Sequence, residues 1–247
     1  MTSEKKIFIL MPAYNAASTI KEVFPRIPKD FLPNITEFLV INDASKDQTQ
    51  QAILELQKNY PNITLINKEK NEGYAKAQKT CFNIALEQGA DIVVLLHSDG
   101  QYAPEEMPRL IEPLLKDEAD IVQGSRMLSG EALKGGMPFY KYIANIILSR
   151  LENICFKMDL AEYHSGYMLY SKKALKTIPF ENLSDTFHID GEMLFVGHDL
   201  GLRIQQLPIP TRYAQEKSNL KPIKYGFDVL KIMLKYKQGK YNFKKPN

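Results

Sequence analysis

Ile92-Val93-Val94-Leu95-Leu96 is apolar at all five positions and runs directly into the polar His97-Ser98-Asp99-Gly100-Gln101. A strand with one wet face alternates apolar and polar residues. A run without alternation needs cover on both faces, as in a parallel strand between two layers of helices. Residues 6–11, 37–41, 63–66 and 120–123 are further short apolar runs, and helix-like patterns lie between them at 17–27, 47–59, 74–88 and 104–115. Ile53, Leu54 and Leu56 mark one face of the second helix, and Pro104 is pre-set for the first turn of the last. This alternation predicts a doubly wound α/β fold on a mostly parallel sheet.

The second half is less regular. Residues 139–158 read as an amphipathic helix with Phe139, Ile143, Ile146, Ile147, Ile154 and Met158 on one stripe. Lys141, Arg150 and Glu152 interrupt it, which argues against a membrane span. Residues 166–170 suggest an edge strand, 189–200 a helix and 203–209 a last strand. With no internal repeat, 247 residues suit a single domain at 1–215 with a basic amphipathic helical extension at 216–247. Nine lysines against Asp228 alone fall between Lys217 and Asn247, leaving 23 basic and 28 acidic side chains before them. A basic end on a mildly acidic body suits an anionic partner such as a lipid surface, and a solubilising terminus fits it equally well. The apolar positions from Ile223 to Leu234 allow a helix lying on a membrane or one packed on the domain. Nothing points to nucleic acid. The opening Met-Thr-Ser-Glu-Lys-Lys has no signal-peptide pattern, and Cys81 and Cys155 are too few for a disulfide framework or a zinc site. A cytoplasmic setting is expected, peripheral at the inner face of the membrane if the tail binds lipid.

In open α/β sheets the ligand crevice lies outside the carboxyl ends of the strands. Four polar clusters fall at such ends: Pro12-Ala13-Tyr14-Asn15, Asn42-Asp43-Ala44-Ser45, the segment His97 to Gln101, and Gly124-Ser125-Arg126. Asp43 can accept from a base N–H or a ribose hydroxyl, and Tyr14 offers a ring face to a base. Asp99 and Gln101 are hard oxygen donors two residues apart, suited to Mg²⁺ or Mn²⁺ on a diphosphate. Arg126 is a forked cation suited to phosphate. Each residue alone has a bland reading as a loop, cap or surface group; four clusters in order at strand ends favour a site. Neither G-x-G-x-x-G after the first strand nor G-x-x-x-x-G-K-[ST] occurs, so a dinucleotide fold or a P-loop enzyme is unsupported.

These clusters, with Asp47, Thr49 and Asn71-Glu72-Gly73 between them, resemble the family 2 inverting glycosyltransferases over residues 5–215. The branch they resemble is the polyprenyl-phosphate, dolichyl-phosphate mannose synthase-like, sugar transferases. The resemblance implies a GT-A fold, a UDP- or GDP-linked sugar donor, a divalent metal, and a lipid-phosphate or saccharide acceptor. It places the nucleotide at Pro12, Ala13, Tyr14, Asn15, Asp43, Lys76, His97 and Ser98. Asp99 becomes the second acid of the family's D-x-D and, with Gln101, a metal ligand. Arg126 would hold phosphate, Ser165-Gly166-Tyr167 matches an acceptor-side element, and Asp190 and Glu192 match carboxylates facing the sugar.

Two positions depart from the pattern. His97 stands where the first acid is expected, removing one negative charge from the metal site. Met168 stands where relatives carry Arg. Catalysis is expected to rest on Asp99, Arg126 and Asp190, with Asp190 ahead of Glu192 as general base for a sugar hydroxyl and a positioning group for a lipid phosphate. A nucleotide-sugar-binding protein that lost turnover through His97 is the alternative reading; a sugar nucleotidyltransferase is disfavoured because no glycine-rich loop follows the first strand. His164, His188 and His198 match no metal-ligand spacing and are read as hydrogen-bonded structural residues, with substrate contact a secondary reading for His188 because it shares the loop of Asp190.

Overall fold

The structure, a computed structural model, describes residues 5–211 and 222–243. The strands are β1 (Ile7–Ala13), β2 (Ile35–Asn42), β3 (Ile63–Asn67), β4 (Ile92–Leu95), β5 (Ile121–Ser125), β6 (Met168–Ser171) and β7 (Ile204–Pro208). The helices are α1 (Ile20–Val23), α2 (Thr49–Leu56), α3 (Tyr74–Glu87), α4 (Met107–Leu115), α5 (Phe139–Phe156), α6 (Lys172–Thr177), α7 (Ile189–Asp199) and α8 (Pro222–Lys237). The boundary expected at 215/216, along with Lys217 and Lys221, lies outside the described residues.

All seven strands form one sheet in the order β3-β2-β1-β4-β6-β5-β7. Side chains of β1 alternate between two cores. Phe8 and Leu10 join the layer containing α3 and α7, while Ile7, Ile9 and Met11 join the layer containing α1, α2 and α4. Every residue of β4 is buried, as an apolar run covered on both faces requires. Helix α1 stops after one turn and continues as a 3₁₀ turn at Phe24–Arg26, because Pro25 has no N–H to extend it.

One expectation is corrected. Residues 166–170 do not form an edge strand: β6 lies inside the sheet, antiparallel to β4 and β5, with Leu169 paired to Val94 and to Val122. Because β6 runs backwards, its beginning reaches the rim where β1, β2, β4 and β5 end.

Residues 139–156 form the expected amphipathic helix α5, and periodicity leaves open which face packs inward. Its inward residues are Asn145, Ser149, Glu152, Cys155 and Phe156, whereas Phe139, Ile143, Ile147 and Ile154 are exposed, Ile154 by 75%. Much of the apolar stripe faces outward, and the polar face is the buried one. Asn145 donates to Glu162 at 3.1 Å, and Ser149 donates to Asn145 at 3.2 Å, so this inward face is hydrogen-bonded. Helix α8 packs beside α5, burying Val229 and Ile232, and Tyr241 beyond it is buried against Phe195. Among the described residues no helix is long and apolar enough to cross a membrane.

The inverted α5 predicts unequal costs for apolar substitutions. Ile154→Gln should change unfolding free energy by no more than ~0.5 kcal/mol. Leu169→Ala, in the buried centre of β6, should cost ~2–5 kcal/mol in urea denaturation. A large loss from Ile154→Gln would show that this stripe packs inward.

Candidate active site

The loops after β1 and β2 are zipped together. Asn15 N donates to Ser45 Oγ at 2.9 Å and Lys46 N to Asn15 Oδ1 at 2.8 Å, with Asn15 itself at φ 51°. Asp47 binds Ala17 N and Thr49 N, fixing the same loop pair. Pro12 and Ala13 close β1, and Tyr14 remains 37% exposed beside them. Asp43 is buried, and its carboxylate accepts from Glu72 N at 2.9 Å and Gly73 N at 2.8 Å. It therefore anchors the Asn71-Glu72-Gly73 turn that starts α3.

The segment after β4 is held from two sides. Ser98 Oγ donates to Pro12 O at 2.9 Å, and Arg26 Nη1 donates to Gly100 O at 3.0 Å. Asp99 Oδ1 accepts from Gln101 N at 3.0 Å. Among the described residues no donor reaches Asp99 Oδ2 and nothing bonds the Gln101 side chain. Two hard oxygen donors thus stand uncommitted at the rim, the donor chemistry that Mg²⁺ or Mn²⁺ requires.

His97 is tied to Asp190 through one phenol. Tyr74 Oη donates to Asp190 Oδ2 at 2.7 Å and lies 3.1 Å from His97 Nε2. With its only proton given to Asp190, Tyr74 must accept from His97, which fixes a proton on Nε2. Gln78, one helical turn after Tyr74 on α3, donates to Asp190 Oδ1 at 2.8 Å. Burial pushes the Asp190 carboxyl above the usual range, and the bonds from Gln78 and Tyr74 pull against that. Glu192 turns elsewhere: it is fully buried and bound by Ser184 and by Tyr241 Oη.

The start of β6 closes the rim. Ser165 Oγ donates to Gly124 O at 2.5 Å, and Gly166 N donates to Tyr102 Oη at 2.7 Å. A Cβ on Gly166 would stand 2.8 Å from His97 Nε2 and 3.2 Å from Tyr74 Oη, so the close approach requires glycine. Met168 is buried in the sheet against Leu95 and Gln123, and no cation replaces the expected Arg at this position. Arg126 donates to buried Glu162 Oε2 at 2.9 Å and to His164 O at 2.7 Å. Burial raises the Glu162 carboxyl, and Arg126 more than offsets this to hold it below the usual range. Lys76 is half-exposed and lies 3.7 Å from Asp185.

His97, Ser98, Asp99, Gln101 and Asp190 therefore come together around β4, Tyr74 and Gly166, while Arg126 is held inward by its partners. His164 and His188, read from the sequence as hydrogen-bonded structural residues, share one buried partner. Both rings meet the buried carboxylate of Glu152, at 3.1 and 2.9 Å, while His198 stays on the surface beside Asp199. Tyr74, Gln78, Glu152 and Glu162 were missed, since only the i,i+4 spacing of Tyr74 and Gln78 signals a shared direction. Gly166→Ala should cost ~1–3 kcal/mol because the His97 ring has to move. Gly226→Ala, in α8 with open space around it, should gain roughly 0.5–1 kcal/mol. Equal stability of Gly166→Ala and wild type in urea would refute the packed His97–Gly166 contact.

Residues 8–178 match the family model described as glycosyl transferase family 2. The UDP-N-acetylglucosamine–dolichyl-phosphate N-acetylglucosaminyltransferase of Methanococcus voltae is 29% identical over 96% of this chain and 98% of its own. The undecaprenyl-phosphate mannosyltransferase of Micrococcus luteus is 27% identical over 83% of this chain and 82% of its own. Among solved structures, glucosyl-3-phosphoglycerate synthase from Mycobacterium tuberculosis, in complex with Mn²⁺, uridine diphosphate and glucosyl-3-phosphoglycerate, superposes with a TM-score of 0.66. It shares 19% identity over 98% of this chain and 81% of its own, which establishes a common GT-A fold.

Proposed function

The chain belongs to glycosyl transferase family 2 and is a glycosyltransferase using a nucleotide-sugar donor, and from that premise we propose that it transfers the sugar of a UDP-linked donor, with inversion, to a polyprenyl phosphate. The observation that carries the acceptor is the pair of outward apolar stripes on neighbouring helices. Phe139, Ile147 and Ile154 of α5 and Ile223, Phe227 and Leu234 of α8 are exposed, and α8 adds Lys224, Lys231 and Lys235. Apolar side chains rimmed by lysines suit the boundary of an anionic bilayer, where a polyprenyl phosphate resides. The chain would sit peripherally at that surface. Support for the uridine donor comes from the Methanococcus relative, which aligns nearly end to end and is named for a UDP-sugar.

In this reading Pro12, Ala13, Tyr14, Asn15 and Asp43 line the nucleotide end, with Lys76 and Ser98 beside it. Asp99 and Gln101 hold Mn²⁺ or Mg²⁺. The ion, when bound, supplies Lewis-acid stabilisation to the departing diphosphate. An acceptor phosphate is already an anion near neutral pH and needs no base. Asp190 is then a positioning residue, orienting Tyr74 and through it the His97 ring that replaces the first acid. Arg126 contributes positive charge from behind, its direction set by Glu162.

Asp99→Asn should lower Mn²⁺-dependent donor turnover by about 100-fold or more while the fold survives. A thermal-shift series with UDP- and GDP-sugars, with and without Mn²⁺, should stabilise the protein most with the uridine donor. Ordinary metal-dependent turnover by Asp99→Asn, or transfer to saccharides but not to polyprenyl phosphate, would refute the assignment.

Membrane contact has its own test. Sedimentation with vesicles containing anionic lipid should capture the wild type. Phe227→Ser combined with Ile154→Ser should weaken partitioning about 100-fold or more, as expected when two side chains each lose ~1.5 kcal/mol or more of burial. Equal capture of both proteins would exclude the apolar stripes as the contact.

A further inference from the structure

Glu152, His164 and His188 come from three separate parts of the chain: the inward face of α5, the segment before β6 and the residue that caps α7. Glu152 and His188 are fully buried and the His164 side chain is 9% exposed. One ligand atom from each residue can be chosen so that all three lie within 4.8 Å of one another. Glu152 Oε2 stands 3.1 Å from His164 Nε2, and Oε1 stands 2.9 Å from His188 Nε2. Each Nε2 thus meets one carboxylate oxygen at ion-pair distance, and all four atoms are shut away from water. A buried carboxylate flanked by two imidazole nitrogens is also a donor set that a cation can share.

The far side of each ring is already organised. Tyr225 Oη, from α8, lies 2.8 Å from His164 Nδ1 and 3.0 Å from His188 Nδ1. One phenol carries one proton, so in the metal-free protein it can donate to one ring and must accept from the other. The accepting ring then presents Nε2–H to Glu152. The donating ring either buries an imidazolium or aims a lone pair at the carboxylate. A dication resolves this conflict: both Nε2 lone pairs and a carboxylate oxygen turn to the ion. Both Nδ1–H groups then donate to the two lone pairs of Tyr225 Oη, the outer-shell arrangement that orients metal-binding histidines. His188 also has room in which to be held, since a Cβ on Gly191 would stand 2.3 Å from its ring.

We propose that Glu152, His164 and His188 bind a transition-metal dication, Zn²⁺ by preference, at a second site separate from Asp99 and Gln101. Two imidazoles and one carboxylate are a zinc donor set, unlike the all-oxygen pair at Asp99. Zinc bonds of ~2.0–2.1 Å place neighbouring donors ~2.9–3.4 Å apart; each imidazole already stands at that distance from one Glu152 oxygen, and ring and carboxylate rotation would draw in the three atoms, which now lie within 4.8 Å of one another. The ion would fasten α5, the start of β6 and α7 to one another, and through Tyr225 it would hold α8 against them. The site does not depend on which donor or acceptor the enzyme uses.

The test uses the full chain, stripped with a chelator, then equilibrated with Zn²⁺, freed of excess by gel filtration and assayed for metal by mass spectrometry. Wild type should retain one Zn²⁺ per chain and unfold at a higher temperature with it than without it. Asp99→Asn should retain the same zinc. His188→Gln should lose it, and Tyr225→Phe, which leaves all three ligands in place, should weaken it about 10–100-fold. Cobalt(II) substitution reads the ligands independently of folding losses: wild type should show visible absorption of a low-coordinate imidazole site, removed by added Zn²⁺. Absence of stoichiometric zinc in the folded wild type would overturn the proposal. So would zinc that disappears in Asp99→Asn while persisting in folded His188→Gln.

Discussion

Gly166 approaches the His97 ring so closely that only a hydrogen fits between them, and that approach exists because β6 runs backwards between β4 and β5. A parallel strand in that place would deliver its far end to the rim. The reversed strand delivers its beginning, and with it Ser165, Gly166 and the His164 carbonyl. Ser165 then ties to Gly124, Gly166 to Tyr102, and Arg126 to His164 O. The end of β4, the end of β5 and the start of β6 are thereby locked into one surface. Without the reversal, His97 would lose its neighbour and Arg126 one of its acceptors.

The same rim shows how a changed residue is absorbed. His97 brings no negative charge to the place of an acid, yet it is not idle: its proton goes to Tyr74, whose proton goes to Asp190. Burial would otherwise leave the Asp190 carboxylate poorly solvated, and Gln78 and Tyr74 supply the donors it needs. The imidazole is thus oriented by a relay of oxygen acceptors, in the manner in which outer-shell groups orient ligands around a metal.

Helix α5 joins this chemistry to the outer surface. Its inner face is a ladder of Asn145, Ser149 and Glu152 meeting Glu162, His164 and His188, while its outer face carries Phe139, Ile143, Ile147 and Ile154. An apolar outer face costs little if another apolar medium covers it, and the polar inner face is stable because its groups have partners. Periodicity alone reports that two faces differ. It does not report which face is inside.

The sequence by itself determined the alternation of strands and helices, the two-sided cover of β4, and the clustering of Asp43, Asp99 and Gln101 at strand ends. These follow from spacing along the chain and from the rule that parallel strands end at a common crevice. Tertiary structure decided the rest: the reversed, internal position of β6, the outward stripe of α5, the commitment of Arg126 to Glu162, and the meeting of Glu152 with His164 and His188. Each of these depends on a contact between residues distant in sequence, such as Tyr74 with Asp190 or Tyr225 with two histidines. Local pattern carries no record of such pairs, because their energy arises only when burial removes water and leaves each polar group to find a partner.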